Sequence, residues 1–102
     1  MKQLVESVKL LVDGELICAN KKFPMFNSTH EGYAIIKEEI EETQYELEQI
    51  NKVVARSWYY IKQNGNVIDE MVAIKQCAIN LAAESIQIAA MAQKFIDSKV
   101  IK

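Results

Sequence analysis

Glutamates in two separate stretches of the chain are candidate ligands for a cation. The first stretch, KEEIEE at 37–42, places four glutamates around one isoleucine. The second stretch, NLAAESIQIAAMA at 80–92, carries Glu84 alone in an apolar field. Carboxylates that converge from two places can hold a hard cation such as Mg²⁺, which prefers oxygen ligands. Whether they converge depends on the elements that carry them.

Turn-forming residues divide the chain into three predicted helices. Pro24 ends a first helix at about residue 22, and Ser28 with Glu31 three residues later is a capping box that begins a second. No helix-breaking residue follows until NGN at 64–66, which predicts one helix of more than thirty residues, about 50 Å long. A third helix is predicted from near Val67 to about residue 98, with the asparagine of NGN at 66 as its cap.

These elements predict an all-α fold in one domain, residues 1–102. Its main feature is a long antiparallel helical hairpin, to which a shorter N-terminal helix is added. Two long helices supported by one shorter helix cannot cover all their apolar surface. We therefore expect a four-helix-type bundle that is completed on oligomerisation, as a homodimer or a homotetramer.

The bulk composition argues against several classes of function. The chain is 50% hydrophobic and 25% charged, with a net charge of -2, so nucleic acid is not an expected partner. Residues 76–93 form the longest weakly charged run, but polar residues interrupt it, which argues against a membrane span. Cys18 and Cys77 lack metal-binding spacing, and the N-terminal residues do not resemble a signal peptide. We expect a cytoplasmic protein in which both cysteines fill the core.

A helical projection at about 100° per residue separates the glutamates of the second helix into two groups. Apolar residues within about 60° of Ile40 define the predicted buried stripe of this helix: Tyr33, Ile36, Leu47, Val54, Trp58 and Ile61. One flank is expected to face water: Glu38, Glu41 and Glu48. The other flank is bracketed by Ile35 and Val53, and we expect it to meet another helix, with its acids partly desolvated: Glu39, Glu42 and Glu46.

On the third helix, Glu84 lies in the middle of the predicted apolar face. An isolated ionised carboxylate there is costly, so it must be paired, protonated or bound to a cation, and no Lys or Arg lies within one turn of it. Glu39 and Glu42 on the facing helix would repel it unless a cation sat among them, which predicts a Mg²⁺ site. Two simpler interpretations stay open: the glutamates at 38–42 can be a solvated helix face, and Glu84 a hydrogen-bonded core acid.

With these residues identified, the chain resembles the MazG-like, all-α nucleoside triphosphate pyrophosphohydrolases, especially the short members that phages and prophages carry. The resemblance covers most of residues 28–97 and is strongest in HEGYAIIKEEIEE and AINLAAESIQIAAMAQKFID. The family pattern is E-E-x-x-E on one helix and E-x-x-D on the next. Residues 38–42 match the first half, Glu84 opens the second, and Gln87 stands where the pattern has Asp. The 41 residues between the two halves exceed the usual family gap.

The resemblance implies a Mg²⁺-dependent enzyme that hydrolyses a nucleoside triphosphate to pyrophosphate and a monophosphate. Carried over by position, Glu39, Glu42 and Glu84 would be the metal ligands, and Gln87 would be a weak fourth contact. Asn80 and Lys94 are predicted substrate contacts, and no catalytic residue is assigned. The alternative function is a non-catalytic helical oligomer that keeps the scaffold as a binding or assembly module. A di-iron bundle is disfavoured, because the chain lacks the Glu-x-x-His ligands.

Overall fold

The computed structural model describes residues 1–100, which form three helices in the predicted order. The helices are α1 (Lys2–Lys22), α2 (Thr29–Lys62) and α3 (Ile68–Ser98), and no strand occurs among the described residues, which confirms the all-α class. α3 packs against both α2 and α1. Within residues 1–100, none of the three helices combines the length and the apolarity needed to cross a bilayer. Residues 101–102 of the predicted domain lie outside the described part.

Local side-chain hydrogen bonds set the ends of the two long helices. The Ser28 hydroxyl accepts a hydrogen bond from the Glu31 amide at 3.1 Å, which is the predicted start of α2. The Glu31 carboxylate accepts one from the Asn27 amide at 3.2 Å, so the return bond of the capping box reaches one residue further back. Before α3, the Asn66 side chain accepts from the Ile68 amide at 2.8 Å. The two long helices are therefore joined by residues 63–67 alone.

The core lies at the end of the hairpin where α1 packs. Phe26, Ala90 and Met91 are its buried centre, and half-buried apolar residues from all three helices surround them: Val12, Leu16, Ala19, Ile35, Ile36 and Phe95. The rings of Phe26 and Phe95 meet edge to face, with their centroids 6.4 Å apart. Cys77 is half-buried, but Cys18 is exposed, so the expectation that both cysteines fill the core is wrong for Cys18.

The stripe around Ile40 is not the face of α2 that the single chain buries. Its bulkiest members, Tyr33 and Trp58, are 64% and 58% exposed. The buried residues of α2 lie instead on the flank that carries Val53 and Ser57. Small and β-branched side chains on this flank allow a close approach of α3, whereas the aromatic side chains of the stripe do not. The flank was predicted to meet another helix, and it does. Within one chain the prediction that the stripe is buried holds in part for Ile36 and Ile40, which are half-buried, and is wrong for its other, exposed members: Tyr33, Leu47, Val54, Trp58 and Ile61.

Candidate metal centre

Carboxylates from α2 and α3 meet where the two helices face each other. One oxygen atom of each of Glu39, Glu42 and Glu84 lies within 4.8 Å of the other two, and we call these three residues the acidic triad. Glu39 and Glu42 are three residues apart on α2, so their side chains lie one turn apart on the same face. Glu39 and Glu84 are half-buried, but Glu42 is exposed, so the expectation that the acids of this flank are partly desolvated is wrong for Glu42. The structure thus brings together the three residues that the sequence predicts as ligands, while their role as ligands stays a prediction.

The remaining glutamates of α2 divide as the projection predicts. Glu38, Glu41 and Glu48 are exposed, whereas Glu46 is half-buried on the flank that faces α3. Glu46 also adds negative charge near Glu84 and so contributes to its raised pKa. The KEEIEE stretch at 37–42 therefore contains both solvent-exposed acids and the half-buried Glu39.

Burial and crowding raise the pKa of all three triad carboxyls above the ordinary value of 4.5. For Glu39 and Glu84 the main cause of the raised pKa is burial, which disfavours the charged form. For Glu42 the main cause of the raised pKa is a hydrogen bond with Glu84, followed by the negative charge of Glu84. Either a retained proton or a bound cation would relieve this crowding of negative charge.

The acidic triad lines a cavity of about 730 Å³ that is bordered by all three helices and the connection between α1 and α2. This volume lies within the range of small-molecule sites, roughly 300–1,000 Å³. Its walls are partly apolar, with Phe26, Ile35 and Met91 beside the acids. The cavity therefore combines an acidic wall with the apolar end of the core.

Lys94 adds a positive charge to the same cavity. The residue is only 2% exposed, and its Nζ atom lies 5.2 Å from the centroid of the Phe26 ring. Among residues 1–100, no carboxylate forms an ion pair with it. An ammonium group that borders a cavity and is not neutralised by a carboxylate attracts an anionic ligand.

The other predicted substrate contacts are placed differently. Gln87 lines the cavity, but Asn80 does not. Asn80 is exposed, and its Oδ1 atom accepts a hydrogen bond from Gln76 at 3.2 Å. The structure does not bring Asn80 together with the other predicted site residues.

α1 contributes a residue that the sequence prediction did not include. The Gln87 side-chain amide donates a hydrogen bond to the Glu15 carboxylate, and both residues line the cavity. The signal for Glu15 was present, because it shares a helical face with Val8, Val12 and Ala19 at spacings of three and four residues. Glu84 was identified because it is an acid within an apolar helix face. The same criterion, applied to the first helix, would have identified Glu15.

Comparison with known proteins identifies no relative of this chain. No protein family, no curated protein and no solved structure matches it. The candidate centre is therefore defined by its own geometry and chemistry.

Proposed function

We propose that this chain is a Mg²⁺-dependent nucleoside triphosphate pyrophosphohydrolase of the MazG-like type. The observation that supports this function best is the convergence of Glu39, Glu42 and Glu84 to within 4.8 Å of one another from two helices. Mg²⁺ takes oxygen ligands, binds through a few carboxylates and keeps the rest of its coordination for water and substrate phosphates. The donor set of the triad, which is entirely carboxylate oxygen, fits these preferences.

The other residues of the cavity have roles in the same reaction. Lys94 would bind phosphate oxygens, because its ammonium group borders the cavity without a carboxylate partner. Phe26 and Met91 would shield the reacting groups from bulk water. When bound, Mg²⁺ neutralises phosphate charge and lowers the pKa of a water molecule for attack. Nucleoside triphosphates are cytoplasmic metabolites, which agrees with the location predicted from the sequence.

The longer gap between the two halves of the motif is compatible with this function. α2 and α3 are both extended, and the short connection at 63–67 turns the chain directly back. Glu84 therefore faces Glu39 and Glu42 despite the 41 residues between the halves. The added length lies in the hairpin beyond the site and leaves the facing stretches aligned.

The test is a pyrophosphate-release screen over ordinary and damaged deoxynucleoside triphosphates, with and without Mg²⁺. We expect release with at least one nucleotide and only in the presence of the metal. Glu39→Gln and Glu84→Gln should each lower kcat/KM by more than about 100-fold. Loss of a residue that only supports a metal ligand already costs up to roughly 100-fold, and a direct ligand should cost more. Glu41→Gln is the matched control, since Glu41 is an exposed acid of the same cluster. Undiminished release by both triad variants would refute the assignment.

A non-catalytic binding or assembly module is the second candidate. Gln87 favours it, because the amide takes the place of an acid and is already bound to Glu15. The thermal melting temperature separates the two functions. At a Mg²⁺ concentration of 100 times Kd, binding to the folded state alone adds about 2.7 kcal/mol to the free energy of unfolding. A module without a metal centre would show no Mg²⁺-dependent rise.

Self-association completes either proposal. The chain has an accessible surface of 7622 Å², whereas a compact monomer of 11.6 kDa has about 5,800 Å². The excess of about 1,800 Å² is more than twice the roughly 800 Å² that each partner buries in a standard interface. We propose that a second copy of the chain covers the exposed stripe around Ile40, which would complete a four-helix bundle as a homodimer or a homotetramer.

A further inference from the structure

We propose that Glu15 of α1 is the fourth acid of the metal centre and that Gln87 holds it there. This inference rests on the proposed function, because it assigns a further residue to the same site. It also gives α1 a part in the chemistry, in addition to its part in the core.

The geometry places Glu15 beside the acidic triad. Gln87 lies three residues after Glu84, one turn along the same face of α3, and its side-chain amide donates to the Glu15 carboxylate. Glu15, Gln87 and the triad line one cavity. A carboxylate from α1 is thereby held at the position next to Glu84.

The residue at 87 decides which helix supplies the fourth negative charge. An aspartate there would repel Glu15, because two carboxylates at hydrogen-bond distance cannot both ionise without cost. A glutamine amide is neutral and donates to a carboxylate, so it attracts Glu15. With glutamine at position 87, the additional negative charge beside Glu84 comes from α1 and not from α3.

The distance sets the kind of role that Glu15 can have. The group of carboxylates whose oxygens lie within 4.8 Å of one another contains Glu39, Glu42 and Glu84, but not Glu15. We therefore assign Glu15 as an outer carboxylate, which adds negative charge beside the cation without being one of its direct protein ligands. Residues that support metal ligands in this way commonly change metal affinity by about 10- to 100-fold.

Lys94, on the wall of the same cavity, is a further group that suits a ligand. The Lys94 side chain is only 2% exposed and borders the cavity. It forms no ion pair with any acid among residues 1–100. If the acids merely neutralised one another and the local lysine, Lys94 would pair with one of them. Separate acidic and basic groups in one cavity are suited to a cation that is bound together with an anion.

The test measures binding of Mn²⁺ alone, by the electron paramagnetic resonance signal of the free ion, so that it does not depend on turnover. Glu15→Gln should weaken Mn²⁺ binding by about tenfold or more. The melting temperature without metal should stay unchanged, because the new amide oxygen still accepts from Gln87. Asp13→Asn is the matched control, since Asp13 is an exposed acid on the same helix, and it should change affinity by less than about twofold.

A charge-swap variant provides the second arm. Combining Glu15→Gln with Gln87→Asp returns a carboxylate to the same place from α3, and we expect it to restore Mn²⁺ affinity to within about threefold of the wild type. Wild-type affinity in Glu15→Gln, equal loss in the Asp13 control, or no recovery in the swap would each overturn the assignment. If Glu84→Gln abolishes binding while Glu15→Gln does not, only this inference fails. A wild-type protein that binds no Mn²⁺ refutes the proposed function as well.

Discussion

Replacement of Gly32 by alanine tests the close packing of α2 against α3 beside the candidate site. Gly32 is buried in α2, and a Cβ atom there would lie 2.3 Å and 2.6 Å from two ring carbons of Phe95 and 3.1 Å from Phe26. Carbon atoms in contact are normally about 3.5–4.0 Å apart, so the Phe95 ring would have to move by about 1 Å or more. That ring packs edge to face on Phe26 in the core, so the movement disturbs several contacts.

The expected magnitude follows from two opposing effects. Alanine is favoured over glycine inside a helix by about 1 kcal/mol. Overpacking a well-filled core costs about 1–3 kcal/mol. Because the overlap at Gly32 involves two ring atoms at less than 3.0 Å, we expect the upper part of that range and a net loss of about 1–2 kcal/mol. For a domain of this size, each 1 kcal/mol corresponds to about 4–8 °C in Tm.

Urea denaturation followed by circular dichroism, at matched protein concentrations, measures the effect. Gly14→Ala is the matched control, since Gly14 lies in α1 and a Cβ there would meet no atom within 4 Å. It should raise the free energy of unfolding by about 0.5–1 kcal/mol, the ordinary gain from removing a helical glycine. The two substitutions should therefore have opposite signs. A stabilised Gly32→Ala variant would refute the close approach of α2 and α3 at this point.

Two further predictions concern charge and association. In metal-free buffer, the free energy of unfolding of the wild type should fall relative to that of Glu84→Gln as the pH rises from 4.5 through the raised pKa values of the triad. In that pH window the folded state holds protons that the unfolded state releases, which lowers the free energy of unfolding. Thermal melts of both proteins at successive pH values measure this difference. Saturating Mg²⁺ should abolish the pH dependence. Trp58→Asp, in the exposed stripe of α2, should lower the mass measured by light scattering to that of a monomer, whereas Tyr45→Asp, exposed but outside the stripe, should not. A monomeric wild type would contradict the second prediction.

The helices were predictable from the sequence because their boundaries are set by local chemistry. Pro24 cannot continue a helix, Ser28 and Glu31 satisfy free amides at the start of α2, and Asn66 does the same for α3. These interactions span a few residues, so the sequence contains them directly. The same holds for the separation of the glutamates into two flanks, which depends only on helical periodicity.

The partner of each helix face was not predictable in this way. α2 carries two faces with apolar residues, and periodicity ranks them by hydrophobicity, which favours the stripe that contains Tyr33 and Trp58. The single chain buries the other flank, because Gly32 and Ser57 let α3 approach there. Steric fit between two helices depends on both surfaces together, so it cannot be obtained from either helix alone.

That acids of α2 and α3 would lean toward a common region was predictable from the helical pattern, since an isolated Glu84 in an apolar face requires a partner. Three features depend on how the helices pack: the 4.8 Å convergence that includes Glu42, the place of Asn80 outside the cavity, and the place of Glu15 in its wall. The contact between α1 and α3 at this point, the hydrogen bond from Gln87 to Glu15, joins residues that are 72 positions apart in the chain. The helical pattern marks Glu15 as an acid within an apolar face, but the position of α1, and so the group that Glu15 meets, follows from the packing of the core.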